Sequence, residues 1–296
     1  MAWLQLHLAA HDNQVEALQS LLEDLGAVAV TLTDAADQPL FEPPPGETPL
    51  WRDVVISALF EQSADANALS AALTDTLGAP LPTHRFETLE DQQWERAWMD
   101  DFHPMCFGQR LWIVPSWTDA PDPAGVNLKL DPGLAFGTGT HETTDLCLQW
   151  LDGADVAGKT VMDFGCGSGV LAIAALLLGA RHAVACDIDP QALLATAANA
   201  ELNGVADRIT CVLPGDLKGG EQFELVLANI LAGPLVELSN TLTNLCQPGA
   251  ELVLSGILAD QGGAVRSAYE GAFTLAPTAQ KNDWLRISGT RLSNNQ

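Results

Sequence analysis

A chain of 296 residues, 47% of them hydrophobic, is long enough for two packed domains and too apolar to stay disordered. Thirteen basic residues stand against 38 acidic ones, a formal net charge of −25, which argues against gripping a free nucleic-acid backbone. Such acidity either attracts a basic partner or serves solubility and reflects the host's general proteome. No apolar run approaches the ~18 residues of a membrane span, and the six scattered cysteines contain no CxxC pair. The first residues carry no cationic stretch ahead of an apolar one, so the expectation is a cytosolic protein with reduced thiols.

Residues 3–8 alternate apolar with polar as a half-buried strand does. Val15, Leu18, Leu21, Leu22 and Leu25 then fall at helical spacing, and Gly26 stands where a helix C-cap belongs. Further strands are predicted at 27–33, 53–60 and 83–89, with a helix over 64–77. The Pro-rich stretch FEPPPGETPLW can sustain neither ladder nor helix. This βαββαβ order predicts a small ferredoxin-like α+β domain over residues 1–89. Residues 90–104 form a charged helical connector in which Trp94 and Trp98, four apart, share a face.

Residues 105–296 make the second domain. Strands are predicted at 160–165, 182–189, 209–213, 223–230, 249–257 and 284–291, with helices between most of them. Near-continuous apolar runs such as FELVLANI suit a parallel sheet covered on both faces. The fold class is therefore α/β, a doubly wound sheet preceded by the small α+β domain.

In such a sheet ligands sit at the C-terminal ends of the strands, near the point where strand order reverses. The strand at 160–165 runs into DFGCGSG, where Gly165, Gly167 and Gly169 permit a sharp turn and close backbone approach. Val170 occupies the place where the dinucleotide fingerprint GxGxxG needs its last glycine. Asp163 just before the loop would repel a pyrophosphate but suits a cationic ligand. Asp187, in CDID at the end of the next strand, lies at the spacing of a carboxylate that accepts ribose hydroxyls. The same residues also admit a plainer reading, an N-cap aspartate and a set of turn glycines. Asn229, in NILAGP at the end of the fourth strand, can serve as a helix N-cap for the segment that follows. His141 begins HETTD, whose i+4 residue is Asp145 rather than a second histidine, so no zinc site is expected. No His-Asp or Cys-His arrangement marks a dedicated base.

These residues resemble the seven-stranded class of S-adenosylmethionine-dependent methyltransferases. GETPLW, WERAWMDDFHPM, LDPGLAFGTGTHETT, DFGCGSG, DIDP and ANILAGP together resemble, along essentially the whole chain, the PrmA family of bacterial enzymes that methylate a large-subunit ribosomal protein. The resemblance implies S-adenosylmethionine as cofactor, held by Thr144, Gly165, Asp187 and Asn229, with Phe136, Gly137 and His141 close by. Asp163 and Gly167 join that set through the loop. The resemblance also implies N-methylation of an N-terminal amine and of lysine side chains, with Asn229 at the transferred methyl and residues 1–89 recognising the substrate. The expected partner is a basic ribosomal protein, met by a cytoplasmic monomer that binds neither nucleic acid directly nor membrane. One departure is Glu142, where the family pattern often has proline. Two other functions remain compatible: a same-class enzyme with a different substrate, and a non-catalytic module that holds the cofactor or its product.

Overall fold

The computed structural model describes residues 3–36, 51–77, 82–89, 103–131 and 141–293. Most of the Pro-rich loop, Trp94 and Trp98 of the expected connector, and Phe136 and Gly137 lie outside the described residues. The chain divides into two compact units, Met1–Asp101 and Phe102–Gln296.

The first unit runs β1 (Trp3–His11), α1 (Val15–Asp24), β2 (Ala29–Asp34), β3 (Asp53–Glu61), α2 (Ala66–Leu77) and β4 (His84–Leu89). Its sheet is antiparallel throughout, in the order β2-β3-β1-β4 of a ferredoxin-like fold. Strict alternation sends Leu6 and Leu8 of β1, and Val54, Ile56 and Phe60 of β3, into one core with Val15, Leu18 and Leu22 of α1 and Leu69 and Leu73 of α2. Burying each such side chain contributes about 1.5–3 kcal/mol. Gly26 closes α1 with φ +94°, and the Ala27 N–H returns to the Leu22 carbonyl at 3.0 Å. Helix α2 starts at Ala66 rather than at 64 because the Asp65 carboxylate accepts the Asn67 N–H at 2.8 Å, an N-cap.

The second unit opens with a sheet the sequence reading did not anticipate. It comprises β5 (Met105–Phe107), β6 (Leu111–Val114) and β7 (Val126–Lys129), strands too short to display a period. Its tight turn at Gly108 (φ +78°) is held by Asp152, whose carboxylate accepts the Gln109 N–H at 2.6 Å.

The main sheet is built from β8 (Thr160–Phe164), β9 (His182–Cys186), β10 (Ile209–Val212), β11 (Phe223–Asn229), β12 (Cys246–Leu258), β13 (Phe273–Leu275), β14 (Ala279–Lys281) and β15 (Trp284–Arg291). Its order is β10-β9-β8-β11-β12-β15-β13, with β14 hairpinned onto β15. The strands β10 to β12 run parallel, and β15 runs antiparallel to β12. The six predicted strands are present. β13, three residues long, completes the seven-strand path.

Helices α3 (Glu142–Gly153), α4 (Val170–Leu177), α5 (Pro190–Leu202), α6 (Ala232–Glu237), α7 (Ser239–Leu245) and α8 (Gly262–Tyr269) cover both faces. Leu225 and Leu227 of β11 share a core with Leu148 of α3 and Ile173 of α4. The alternate residues Val226 and Ala228 pack with Leu235, Leu242 and Tyr269 on the other face. That double burial is why FELVLANI reads as an unbroken apolar run. Strand β8 lies between β9, its successor in sequence, and β11, so strand order reverses between β8 and β11. Among the described residues no helix is long and apolar enough to cross a membrane.

Candidate functional site

The glycine loop leaves β8 at that reversal. Gly165, Gly167 and Gly169 take φ of +76°, +53° and +76°, a region residues with a Cβ seldom occupy. Close contact excludes side chains as well. A Cβ on Gly165 would lie 2.2 Å from Ile230 Cγ2, and one on Gly169 would lie 2.6 Å from Thr196 Cγ2. The Gly165 N–H donates to the Cys186 carbonyl at 2.7 Å, folding the loop back across the end of β9.

Asp187 follows directly on β9. Its Oδ2 accepts the Gly167 N–H at 2.9 Å and its Oδ1 accepts the Asp189 N–H at 3.0 Å. A carboxylate has about four acceptor sites, so Asp187 retains capacity for two ribose hydroxyls while anchoring the loop. Its neighbour Ile188 is 83% exposed and offers an apolar side chain beside that carboxylate.

Asp163 lies beneath the loop, 1% exposed. Its Oδ2 accepts the Ala172 N–H at 3.0 Å in the first turn of α4, where the N-cap Gly169 has no side chain to do so. Its buried Oδ1 finds no hydrogen-bond partner among the described residues. Burial pushes this carboxyl up to about 7, against the Ala172 N–H, which lowers it, and with Asp187, which raises it further. A cation above the loop would restore its charge. The capping part of the plainer reading is therefore present in Asp163 itself.

The sequence reading missed the polar stripe on α5 that grips this loop. Thr196 Oγ1 donates to the Gly167 carbonyl at 3.1 Å, and Asn199 Nδ2 donates to the Ser168 carbonyl at 2.9 Å. One turn on, Asn203 accepts the Lys129 N–H at 2.7 Å and donates to the Lys129 carbonyl at 2.8 Å. The signal was the spacing of Thr196, Asn199 and Asn203 along one helix face.

Asn229 is the last residue of β11, and its Nδ2 donates to Thr144 Oγ1 at 3.3 Å. Thr144 sits buried in the first turn of α3. Asn229 does not cap a helix: α6 starts at Ala232 with Leu231 as its N-cap. The next residue, Ile230, is held from two sides. Gly165 faces its side chain, and a Cβ on Gly256 (φ +86°) would fall 2.2 Å from its carbonyl oxygen. The glycine inside the apolar run LVLSGIL was the available signal for Gly256, since a strand glycine marks close backbone approach.

His141 is the N-cap of α3, where Nδ1 accepts the Thr143 N–H at 3.3 Å and the ring meets Trp284 edge-on at 4.9 Å. Glu142 starts that helix. An acid suits the first turn as proline would, and its own backbone N–H, aided by Asn282, holds its carboxyl below the usual range. Phe136 and Gly137 cannot be placed among these contacts because they lie outside the described residues.

The arrangement offers a backbone cradle that Cβ atoms would fill, a carboxylate with spare lone pairs, and an orphaned carboxylate oxygen beneath. Together these fit a cofactor combining a ribose with positive charge, as S-adenosylmethionine does.

Comparison with known proteins agrees. The family model described as ribosomal protein L11 methyltransferase (PrmA) matches residues 2–292. A ribosomal protein L11 methyltransferase from Azotobacter vinelandii is 59% identical over 98% of this chain and 100% of its own length. One from Actinobacillus pleuropneumoniae is 54% identical over the same shares. The crystal structure of a ribosomal protein L11 methylase from Lactobacillus delbrueckii subsp. bulgaricus aligns with a TM-score of 0.59 at 34% identity, covering 65% of this chain and 100% of that one. With its seven-strand path through the main sheet, its glycine loop at the strand reversal and this match from residue 2 to residue 292, the chain belongs to the ribosomal protein L11 methyltransferase family.

Proposed function

We propose that this S-adenosylmethionine-dependent methyltransferase transfers methyl groups to the N-terminal amine and lysine side chains of ribosomal protein L11. The observation that carries the reading is the meeting of two strand ends at the reversal point. There Gly165 abuts Ile230, and the neighbouring Asn229 has its amide nitrogen engaged by Thr144.

When bound, S-adenosylmethionine supplies an electrophilic methyl group on a sulfonium. Asp187 and the Gly165–Gly169 backbone would hold it, with Thr144 and His141 at the start of α3 and Asp163 charged beneath. With its Nδ2 donating to Thr144, Asn229 presents Oδ1 as an acceptor for an amine N–H and so aims the nitrogen lone pair. A lysine amine (reference pKa ~10.4) and an α-amine (~7.7–8.0) must each lose a proton first. Placing that amine out of bulk water lowers the cost of keeping it neutral. Residues 1–89 would capture the substrate and 90–104 would connect, with the net charge of −25 favouring a basic protein. Incubation with labelled cofactor and purified L11, followed by mass spectrometry of the product, tests the reading. Label on the α-amine and on lysines is expected, and label on neither refutes it.

A further inference from the structure

We infer that the β14–β15 hairpin is a positioning element for methyl transfer, acting through the first turn of α3, with Lys281 as its principal residue. This rests on the reading of Asn229 given above. Thr144, the hydrogen-bond partner of Asn229, stands one residue before Asp145, and both of their N–H groups return to the His141 carbonyl at 3.1 Å. Whatever fixes that turn therefore fixes Thr144.

Three side chains of the hairpin reach it. Lys281 Nζ donates to Asp145 Oδ2, while Gln149 of the same helix donates to Asp145 Oδ1 at 2.5 Å. Asn282 Nδ2 donates to Glu142 Oε1 at 3.2 Å. Trp284 meets the His141 ring edge-on at 4.9 Å. An ion pair, a side-chain hydrogen bond and an aromatic contact thus converge on one helix end from more than 130 residues away in sequence. Asp145 is only 8% exposed, so its charge needs a partner, and Lys281 supplies the cation. Asn282 sits at φ +50°, a left-handed conformation that asparagine adopts more readily than most residues with a Cβ.

The geometry predicts a chain of dependence from Lys281 through Asp145 and Thr144 to Asn229. A side chain that acts this way lowers turnover by misplacing the acceptor, and a displacement of about 1 Å is enough for losses of tenfold or more. A merely structural role would lower the unfolding midpoint and leave the rate of folded enzyme untouched.

The test uses the full-length enzyme with S-adenosylmethionine and L11, and compares Lys281→Met, Lys281→Arg, Asn282→Gly, Asn229→Ala and the Lys281→Met/Asn229→Ala double variant. Lys281→Met should lose about tenfold in kcat at saturating substrates, and Lys281→Arg should recover most of it. Asn282→Gly keeps the left-handed turn while deleting the bond to Glu142, and should lose roughly two- to threefold. The double variant should be no slower than Asn229→Ala alone, because residues acting as one unit are not additive. Hydrogen exchange at the Thr144 and Asp145 amides should be faster in Lys281→Met. Wild-type kcat for Lys281→Met beside a slow Asn229→Ala, or losses that multiply in the double variant, would overturn the inference. Wild-type turnover by Asn229→Ala would strike the underlying reading instead. Exchange at α3, which does not depend on Asn229, would then decide: faster exchange in Lys281→Met supports the hairpin's hold, and unchanged exchange overturns it.

Discussion

Asn229 at the end of β11 donates from Nδ2 to Thr144 Oγ1 at 3.3 Å, joining two residues 85 positions apart. The bond engages the amide nitrogen, and on the proposed reading the carbonyl end is left for the incoming amine. Asn229→Ala should therefore lower kcat by about 10²-fold or more while changing the cofactor Kd only slightly, because the lost contact matters mainly during transfer. Single-turnover kinetics and calorimetry separate the two. Equal losses in both would make Asn229 a cofactor-holding residue instead.

If Asp187 holds the ribose as proposed, Asp187→Ala should weaken S-adenosylmethionine binding by on the order of 2–4 kcal/mol, the worth of charge-assisted hydrogen bonds to both hydroxyls. The same change removes the acceptor for the Gly167 and Asp189 N–H groups. Asp187→Asn keeps the acceptor oxygen Oδ1 for part of that anchoring and should fall between the two. Unchanged affinity in a folded Asp187→Ala variant would exclude the ribose role.

Asp163 makes stability depend on pH in a definite direction. Its carboxyl rises from 3.8 in the unfolded chain to about 7 in the fold, so between those values the folded protein keeps a proton that the unfolded one releases. Stability from this group is thus full below 3.8 and falls as pH rises through about 7. Asp163→Asn removes the penalty, and its stability relative to wild type should grow across that window by up to about 4 kcal/mol. Urea titrations of both proteins at several pH values measure it. A difference that stays flat with pH would mean that Asp163 does not titrate there.

Gly256→Ala should destabilise the second unit by roughly 2 kcal/mol or more, because a left-handed φ and a backbone clash with Ile230 act together. The clash has no flexible side chain to relieve it, since the nearest atom is the Ile230 carbonyl oxygen at 2.2 Å. Denaturant unfolding checks stability, and turnover should fall as well, because Ile230 adjoins Asn229. A variant as stable as wild type would show that Ile230 has room to move.

A chain beginning at Phe102, where the second compact unit starts, should bind S-adenosylmethionine nearly as the full chain does. It should methylate L11 poorly if residues 1–89 capture the substrate. Efficient methylation of full-length L11 by the shorter chain would remove the recognition role from the first unit. Point changes on the face of its sheet away from α1 and α2, at His7 and Ser57 for example, provide the same test in the intact protein.

Local pattern determined the elements whose periods are long. The alternation of β1 and β3, the leucine stripe of α1 with Gly26 at its end, and the apolar runs of β11 and β12 are consequences of period-two and period-3.6 geometry, which the chain states residue by residue. The conformation of the glycine loop was equally legible, because a positive φ is a requirement of single positions. Strands of three residues, such as β5, β13 and β14, carry no period and were decided by pairing with neighbours. Tertiary structure also decided what each polar side chain touches. It turned Asp163 toward the start of α4, set Thr196, Asn199 and Asn203 against the glycine loop and β7, and brought Lys281 to Asp145 from 136 positions away. A hydrogen bond or ion pair acts only within a few ångströms, and for such distant residues that proximity exists only once the sheet has closed around its reversal point.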